Sequence, residues 1–453
     1  MIRRFAILGA TGDLASRKLL PALARLHEVG KLPAELTIVG AAREAWDTTT
    51  LRAHMTERLA RHAADIEPAS RHAVVSRLVY HRGDARDPAD VARVLDDVRE
   101  PVVVYLALPL SVLEATVRAV AGLRLAEGSR LVVEKPFGRD LASARTLNCL
   151  LRASFPETAV FRVDHFLGKQ TVQNILGLRF ANRVFEPLWH RSQIARVEII
   201  WHETLALEGR AAYYDSAGAL RDMIQNHLLQ LLCLIAMEAP ISLSERDLRD
   251  RKVDVLRAVR RLSPDEVERR TVRARYDAGR IGDRPVPAYV DEDGVDPRGE
   301  TETFAQVKLS IDNWRWAGVP FLLRTGKALA KDRREIAVHF QPVPHLVFGP
   351  ETDPTPNVLR LQLDPDRMSL RVNINGAGDP FELESVELDR DLAPQDLSAY
   401  ARLILDVLEG DPTLSIRGDE AEESWRIVEP ILAAWAAGRV PLGTYPAGAA
   451  NPT

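Results

Sequence analysis

The sequence predicts two domains: a doubly wound α/β domain at the N-terminus and an α+β domain with a large, mainly antiparallel sheet. The chain has 453 residues, more than one ordinary hydrophobic core accommodates. In its first third, apolar strands alternate with amphipathic helices, whereas later strands follow one another directly. We therefore expect one domain at 1–165 and a second at 166–453.

Four apolar runs define the N-terminal domain. A repeated strand–helix–strand pattern predicts parallel strands, because each helix returns the chain to the same edge of the sheet. The predicted strands cover 5–8, 36–43, 102–109 and 130–137, and the clearest helices cover 16–26 and 113–123.

The C-terminal domain has strands that follow one another without intervening helices, which favours antiparallel pairing. The predicted strands are 193–202, 304–312, 335–341, 357–363 and 367–375, and the predicted helices are 217–238, 398–409 and 419–436. The segment 276–300, rich in Gly, Pro and Asp, predicts a long exposed connection. The Arg-rich stretch 249–275 predicts a solvated helical face.

Composition excludes several classes of protein. The net charge of −4 argues against a nucleic-acid binder, which would usually carry a strongly basic face. A glycine turn and Asp13 interrupt the N-terminal apolar run well before the about 18 residues of a membrane span, so we expect no signal peptide and no membrane association. Cys149 and Cys233 lack metal-type spacing, which predicts buried thiols, a cytoplasmic location and no metal site.

A glycine turn after the first strand predicts a Rossmann-type dinucleotide site. In GATGDLA, Gly9 permits a tight turn and Gly12 lets the backbone approach a pyrophosphate at the helix N-terminus. The second strand ends at Arg43, which suits the 2′-phosphate of NADP, whereas neighbouring Glu44 weakens that inference. We expect NADP, with NAD as the alternative coenzyme. A glycine turn that binds no ligand is the competing interpretation.

The stretch RVDHFLGKQTV, residues 162–172, concentrates charged side chains. Residues four apart share a helix face, so His165 and Lys169 are predicted to donate to one anion while Asp164 points elsewhere. This pattern suits a phosphate site. A solvated helix start is the alternative.

The predicted helix 217–238 carries Asp222 and His227. His227 lies on an apolar stripe, so a core histidine is the simplest interpretation, although histidine also suits a general base. Asp222 would lie about 140° away around an α-helix. At the end of the fourth strand, Lys135 precedes Pro136, and a tight turn at a strand end is where the cis isomer of an X-Pro bond occurs. With a cis bond, Lys135 would lie over the coenzyme's reactive end.

RVDHFLGKQTVQN resembles the RIDHYLGKxxVQN signature of glucose-6-phosphate dehydrogenases, and RDMIQNHLLQLLCLIAME resembles RDMxQNHLLQLLxLxAME of the same family. The similarity extends from residue 9 to about 436. It implies oxidation of the C1 hydroxyl of glucose 6-phosphate with NADP. It also implies an N-terminal NADP-binding domain and a C-terminal domain that binds substrate and assembles homodimers or homotetramers.

The resemblance assigns roles to individual residues. It makes His227 the general base and Asp164 the carboxylate that orients it. GATGDLASRKLLPAL matches the coenzyme fingerprint, and Arg43 falls on the arginine expected for the 2′-phosphate. The implied coenzyme residues are Gly9, Thr11, Gly12, Asp13, Leu14, Arg43 and Lys135, and the implied substrate residues are Lys18, Lys135, His165, Lys169, Glu203, Asp222 and Lys327.

Four positions depart from the family pattern. Phe166 replaces the signature tyrosine, Ala211 and Ala212 replace two glycines, and Asp332 stands where a second base is usual, between Lys331 and Arg333. These departures leave two alternatives open. One is a related enzyme for another aldose or sugar phosphate, and the other is a non-catalytic regulatory paralogue. The retained charged residues argue against the paralogue.

Overall fold

The computed structural model describes residues 2–95, 100–209, 211–348, 353–378, 381–393 and 395–452. The chain divides into two compact units. The first comprises Met1–Lys169, Pro240–Asp250 and Gln395–Glu422, and the second comprises Gln170–Ala239, Arg251–Pro394 and Glu423–Thr453.

The first unit contains a six-stranded parallel sheet flanked by helices, which confirms the predicted α/β class. In spatial order the strands are Leu78–Arg82, Thr37–Ala42, Arg4–Leu8, Val102–Leu106, Arg130–Glu134 and Val160–Val163. Its helices include Leu20–Glu28, Thr48–His62, Pro68–Ser76, Pro88–Leu95, Leu110–Ala121, Leu141–Ser154 and Ala399–Glu409, with π-type turns at Ala15–Leu19 and a short 3₁₀ turn at Glu157–Ala159.

The strand order reverses between Arg4–Leu8 and Val102–Leu106. In such sheets the crevice beyond the carboxyl ends of the strands at the reversal is where ligands bind. The late helix Ala399–Glu409 packs on Leu20–Glu28, and its apolar side chains join the core of this unit. The crevice is therefore supported by residues from both ends of the sequence.

The second unit contains a nine-stranded mixed sheet with mostly antiparallel pairs, again as predicted. The order is Leu383–Asp391, Asp366–Asn375, Val358–Leu363, Arg333–Phe340, Ile194–His202, Pro320–Gly326, Phe304–Ser310, Thr271–Asp277 and Leu442–Pro446. The helical segments are Gln170–Phe180, Ala211–Ala219, the π-type Leu220–Leu228, Leu229–Ala236, Pro264–Arg270 and the 3₁₀ turns Glu186–Leu188 and Tyr289–Asp291. The helices Glu245–Ala258 and Gly418–Ala436 include residues of both units.

Several local predictions need correction. The stretch 249–275 ends in the strand Thr271–Asp277, and both Arg249 and Lys252 are buried, so this is not simply a solvated face. The expected connection at 276–300 contains a hairpin formed by Gly279–Ile281 and Arg284–Val286. Cys149 is exposed because it lies on the outer face of its helix, whereas Cys233 is buried as expected. No helix in the described part of the chain is long and apolar enough to cross a membrane.

Candidate active site

A cleft of about 470 Å³ lies in the first unit at the reversal of strand order. It is bounded by the glycine turn and by the ends of four neighbouring strands. The lining residues include Gly9, Thr11, Gly12, Arg43, Glu44, Asp84, Arg86, Leu108 and Pro109. Gly9 has φ +93°, and a Cβ there would lie 2.3 Å from the Ala107 carbonyl oxygen. Only glycine therefore allows the turn to close against the adjacent strand.

Four of the predicted coenzyme residues, Gly9, Thr11, Gly12 and Arg43, line this cleft. Two other fingerprint side chains make contacts within the protein. Asp13 forms an ion pair with Arg58, and Leu14 packs against the hydrophobic core. Lys18 is exposed on the π-type segment that follows the turn. The apolar walls, the glycine turn and the cationic Arg43 fit a nicotinamide dinucleotide.

Acidic groups share the cleft with its arginines. Thr11 donates its hydroxyl to Glu44 at 2.9 Å. Arg86 pairs with Asp84, and this hydrogen bonding lowers the pKa of Asp84 to about 2. The Arg43 side chain is exposed and has no ion-pair partner among the residues that the structure describes.

The fourth predicted strand ends at a hydrogen-bonded cluster that precedes Lys135. Tyr105 and Tyr400 both donate to the Glu134 carboxylate. Burial raises the pKa of Glu134 to about 7, and the charge of Asp164 adds to this effect against the lowering influence of the tyrosines and Lys135. The Lys135–Pro136 bond is cis, as expected. This cluster places Lys135 at a fixed point on the carboxyl edge of the sheet.

The residues from Asp164 to Lys169 form consecutive turns rather than the expected helix. Backbone bonds join residues three apart at Leu167–Asp164, Gly168–His165 and Lys169–Phe166, and a regular helix begins only at Gln170. Gly168 explains the close approach of this turn to the late helix, because a Cβ there would lie 2.6 Å from the Ala399 carbonyl oxygen. His165 and Lys169 therefore do not share a face of a regular helix, contrary to the prediction.

The turn nevertheless positions the side chains of both His165 and Lys169. The His165 ring stacks on Tyr400, with 5.7 Å between ring centroids and 15° between planes. Lys169 Nζ lies 5.5 Å from the centroid of the Phe166 ring. Phe166 itself is only 3% exposed and serves as apolar support. Asp164 is buried and accepts the Phe166 N–H at 2.9 Å.

Arg162 anchors the strand that leads into this turn. Its guanidinium is fully buried, 2.6 Å from a Glu157 carboxylate oxygen and 2.8 Å from the Asn148 side-chain oxygen. Glu157 also accepts the Gly418 N–H at 2.9 Å. The turn is thus tied to chain segments far away in sequence.

In the second unit, Asp222 and His227 lie on the π-type segment Leu220–Leu228. An α-helix would separate them by about 140°, but in a π-type turn hydrogen bonds join residues five apart. The π-type geometry therefore brings Asp222 and His227 towards the same face, which corrects the sequence-based expectation. Both side chains are buried, and Tyr213 donates to Asp222 at 3.1 Å.

A buried carboxylate starts this helical segment. Glu302 accepts the Leu220 N–H at 2.9 Å, and burial raises its pKa. Gly218, at φ +70°, leaves room for it, since a Cβ there would lie 2.5 Å from a Glu302 oxygen. Glu302 was not predicted, because no nearby sequence pattern connects it to residue 220.

Lys327 and Glu203 form an ion pair in the second unit, with 2.8 Å between Lys327 Nζ and Glu203 Oε2. The Trp201 indole N–H donates to the other Glu203 oxygen at 3.3 Å. Lys327 Nζ also lies 5.4 Å from the centroid of the Tyr214 ring. A carboxylate and an ammonium group held together offer an acceptor and donors to sugar hydroxyls.

Asp332 has a structural partner. It accepts the Thr204 N–H at 2.7 Å and pairs with Arg334 at 2.9 Å. Arg333 pairs with Glu335 at 2.6 Å. Lys331 is exposed and has no ion-pair partner within the described ranges. Of the two flanking bases, Lys331 is therefore the uncommitted one.

Comparison with known proteins relates the whole chain to one family. Residues 6–174 match the family model described as "Glucose-6-phosphate dehydrogenase, NAD binding domain", and residues 176–453 match "Glucose-6-phosphate dehydrogenase, C-terminal domain". A glucose-6-phosphate 1-dehydrogenase of Treponema pallidum is 44% identical, with 98% of this chain and 91% of that protein covered. The enzyme of the same name from Mycolicibacterium smegmatis is 43% identical, over 99% of this chain and 94% of the relative.

Solved structures agree. The crystal structure of glucose-6-phosphate 1-dehydrogenase from Mycobacterium avium matches with a TM-score of 0.88 and 36% identity, covering 100% of this chain and 95% of that one. A glucose-6-phosphate dehydrogenase in complex with its substrate glucose-6-phosphate matches with a TM-score of 0.89 and 33% identity, covering 99% and 95%.

Proposed function

Because this chain belongs to the glucose-6-phosphate dehydrogenase family, we propose that it oxidises the C1 hydroxyl of glucose 6-phosphate to 6-phosphogluconolactone, with NADP as the hydride acceptor. This is the entry reaction of the oxidative pentose phosphate pathway. The π-type turn that aligns buried His227 with Asp222 is the observation that carries the proposal most directly. A histidine on an apolar stripe then has a carboxylate directed towards the same face of its segment.

The reaction requires a base for the hydroxyl proton as the C1 hydride leaves. His227 takes that proton in our proposal, and Asp164 orients the imidazole and stabilises the imidazolium that forms. These two residues belong to different units, so the pairing stays a prediction. Bound NADP supplies the nicotinamide ring that accepts the hydride.

Substrate binding is divided among the charged groups. His165 and Lys169 bind the phosphate in our proposal, and their positions are supported by the contacts with Tyr400 and Phe166. The Lys327–Glu203 pair and Asp222 bind sugar hydroxyls. Lys18, exposed on the segment after the glycine turn, and Lys135 complete the proposed set of substrate-binding residues.

NADP is favoured over NAD because Arg43 is an uncommitted cation in the cleft and suits a 2′-phosphate. Asp13, Leu14 and Lys135 complete the proposed coenzyme contacts with Gly9, Thr11 and Gly12. We also infer a cytoplasmic homodimer or homotetramer, consistent with two free cysteines and with an exposed strand at the edge of the larger sheet.

The substrate assignment is tested by measuring the reduction of NADP and NAD side by side with glucose 6-phosphate, free glucose and galactose 6-phosphate. We expect the highest kcat/KM with glucose 6-phosphate and NADP. Faster turnover of free glucose or galactose 6-phosphate would instead support the related enzyme suggested by Phe166 and Asp332.

The proposed base is tested with His227→Asn. We expect kcat to fall by about a hundredfold to ten-thousandfold while KM changes little, since the variant loses proton transfer and keeps a polar side chain at the buried position. His345→Asn, at an exposed histidine, is the matched control and should keep full activity. An active His227→Asn enzyme would remove this residue from the mechanism.

A further inference from the structure

The coenzyme cleft contains two arginines, and only one is uncommitted. Arg43 has no ion-pair partner among the described residues. Arg86 is held by Asp84, with Nη2 at 2.6 Å from one carboxylate oxygen and Nε at 3.0 Å from the other. Of the two arginines that line the cleft, only Arg43 therefore has a guanidinium available to bind an anionic ligand.

Asp84 is itself held in place. It accepts the Arg86 N–H at 2.9 Å, and its own N–H donates to Asp90 at 2.8 Å. The resulting turn presents the Asp84 carboxylate to the same cleft that Arg43 lines, and the two charges interact. With a pKa of about 2, Asp84 remains anionic at any physiological pH.

Glu44 adds a second negative charge beside Arg43. Its carboxylate accepts the Thr11 hydroxyl at the glycine turn. A carboxylate at the end of the second strand suits an unmodified ribose, whereas it repels a 2′-phosphate. The balance of charge at the cleft is therefore mixed rather than strongly cationic.

We propose that Asp84 determines the coenzyme preference of this enzyme, because it holds Arg86 away from a 2′-phosphate and so keeps the cleft open to NAD as well as NADP. The inference rests on the proposed function in that the cleft must bind a nicotinamide dinucleotide. In this proposal the choice between NADP and NAD depends on Asp84 and Arg86 as well as on the glycine turn and Arg43.

The test is Asp84→Asn in the full-length protein, with the dissociation constants of NADP and NAD measured by titration calorimetry without sugar. Asparagine keeps the acceptor for the Arg86 N–H and removes the charge, so Arg86 becomes available. We expect NADP to bind about threefold to tenfold more tightly relative to NAD. Asp65→Asn makes the same change of net charge at an exposed site outside the cleft and should leave the ratio unchanged.

A second pair of variants tests the state of Arg86 independently. If Asp84 holds Arg86, Arg86→Gln should weaken NADP binding less than Arg43→Gln does, and Arg86→Gln should cancel the gain produced by Asp84→Asn. An unchanged NADP-to-NAD ratio in Asp84→Asn, or an Arg86→Gln loss as large as that of Arg43→Gln, would overturn the inference. If the parent protein binds neither dinucleotide, the proposed function fails with it; if the parent binds both, only this inference is at stake.

Discussion

Gly9 and Gly12 belong to the same turn but satisfy different requirements. At Gly9 the protein itself excludes a side chain, since a Cβ would collide with the Ala107 carbonyl oxygen and φ is positive. At Gly12 a Cβ would meet only the Gly9 carbonyl oxygen, at 3.3 Å. The need for glycine at Gly12 therefore comes mainly from the coenzyme.

This difference predicts that substitution of Gly9 mainly lowers the stability of the protein, whereas substitution of Gly12 mainly weakens coenzyme binding. Gly9→Ala should lower the melting temperature of the protein without ligand, because the turn must shift. Gly12→Ala should leave that temperature nearly unchanged and weaken dinucleotide binding by about tenfold or more. Thermal unfolding and coenzyme titration of both variants make the comparison. Equal destabilisation by the two variants would contradict it.

Lys331 is the base that we expect to compensate for Asp332. Arg333 is paired with Glu335, and Asp332 holds the Thr204 backbone, whereas Lys331 is uncommitted. Lys331→Ala should raise KM for the sugar phosphate by roughly threefold to tenfold with little change in kcat. Lys308→Ala, at an exposed lysine of the same unit, is the control. Steady-state kinetics that show no rise in KM for Lys331→Ala would exclude it from substrate binding.

Motif spacing identified the charged residues of the candidate site, but it could not identify their supports. Tyr105 and Tyr400 converge on Glu134 from positions almost 300 residues apart, and Glu302 caps a segment 82 residues away. Such contacts depend on tertiary packing, which a single sequence does not encode as a local pattern.

At the scale of whole elements, the central strand Pro320–Gly326 was missed, but most other buried strands were predictable because continuous apolar runs mark them. The edge strands Leu78–Arg82 and Val160–Val163 were not, since both are short and include charged residues. The turns at 164–169 have helical spacing without being helical. The π-type segment at Leu220–Leu228 has no distinguishing sequence signal, although it decides how Asp222 and His227 are related.

The helix Ala399–Glu409 carries a buried carboxylate that makes stability depend on pH. Asp406 is 3% exposed, and burial raises its pKa from 3.8 to about 7, with Asp411 adding to the effect and Arg402 opposing it. The folded state therefore binds the proton more tightly than the unfolded state. Its contribution to stability is complete below pH 4 and is lost as pH rises through 7, by up to about 1.4 kcal/mol per pH unit.

Asp406→Asn should remove this pH dependence. We expect the variant to gain melting temperature relative to the parent at pH 8 and to gain less at pH 5, because asparagine stays neutral at both. Glu127→Gln, at an exposed position of the same unit that does not influence the pKa of Asp406, is the control. Parallel pH profiles for the parent and Asp406→Asn would show that Asp406 is already ionised at low pH.

At the scale of the molecule, the nine-stranded sheet ends in a long and exposed edge strand. Leu383–Asp391 lies at the edge, pairs with Asp366–Asn375 on one side only among the described residues, and exposes most of its side chains. Leu388 is 60% exposed and Ile374 is 46% exposed. A long edge strand with apolar side chains is a typical site of association.

We therefore expect a dimer or tetramer in solution that Leu388→Asp dissociates. Trp314→Asp, at a side chain that is 94% exposed elsewhere, should leave the assembly intact. Light scattering coupled to gel filtration gives the mass of each. A monomeric parent protein would exclude assembly. A Leu388→Asp variant with the same mass as an oligomeric parent would show that the subunits associate through another surface.

The helix Ala399–Glu409 also has a consequence for how the protein is made. Its apolar residues complete the core of the first unit, so that core is unfinished until the last part of the chain has been synthesised. At cellular elongation rates, the stretch from residue 169 to residue 395 takes roughly 10 to 45 s to translate. During that interval the rest of the first unit lacks the helix that covers part of its apolar core.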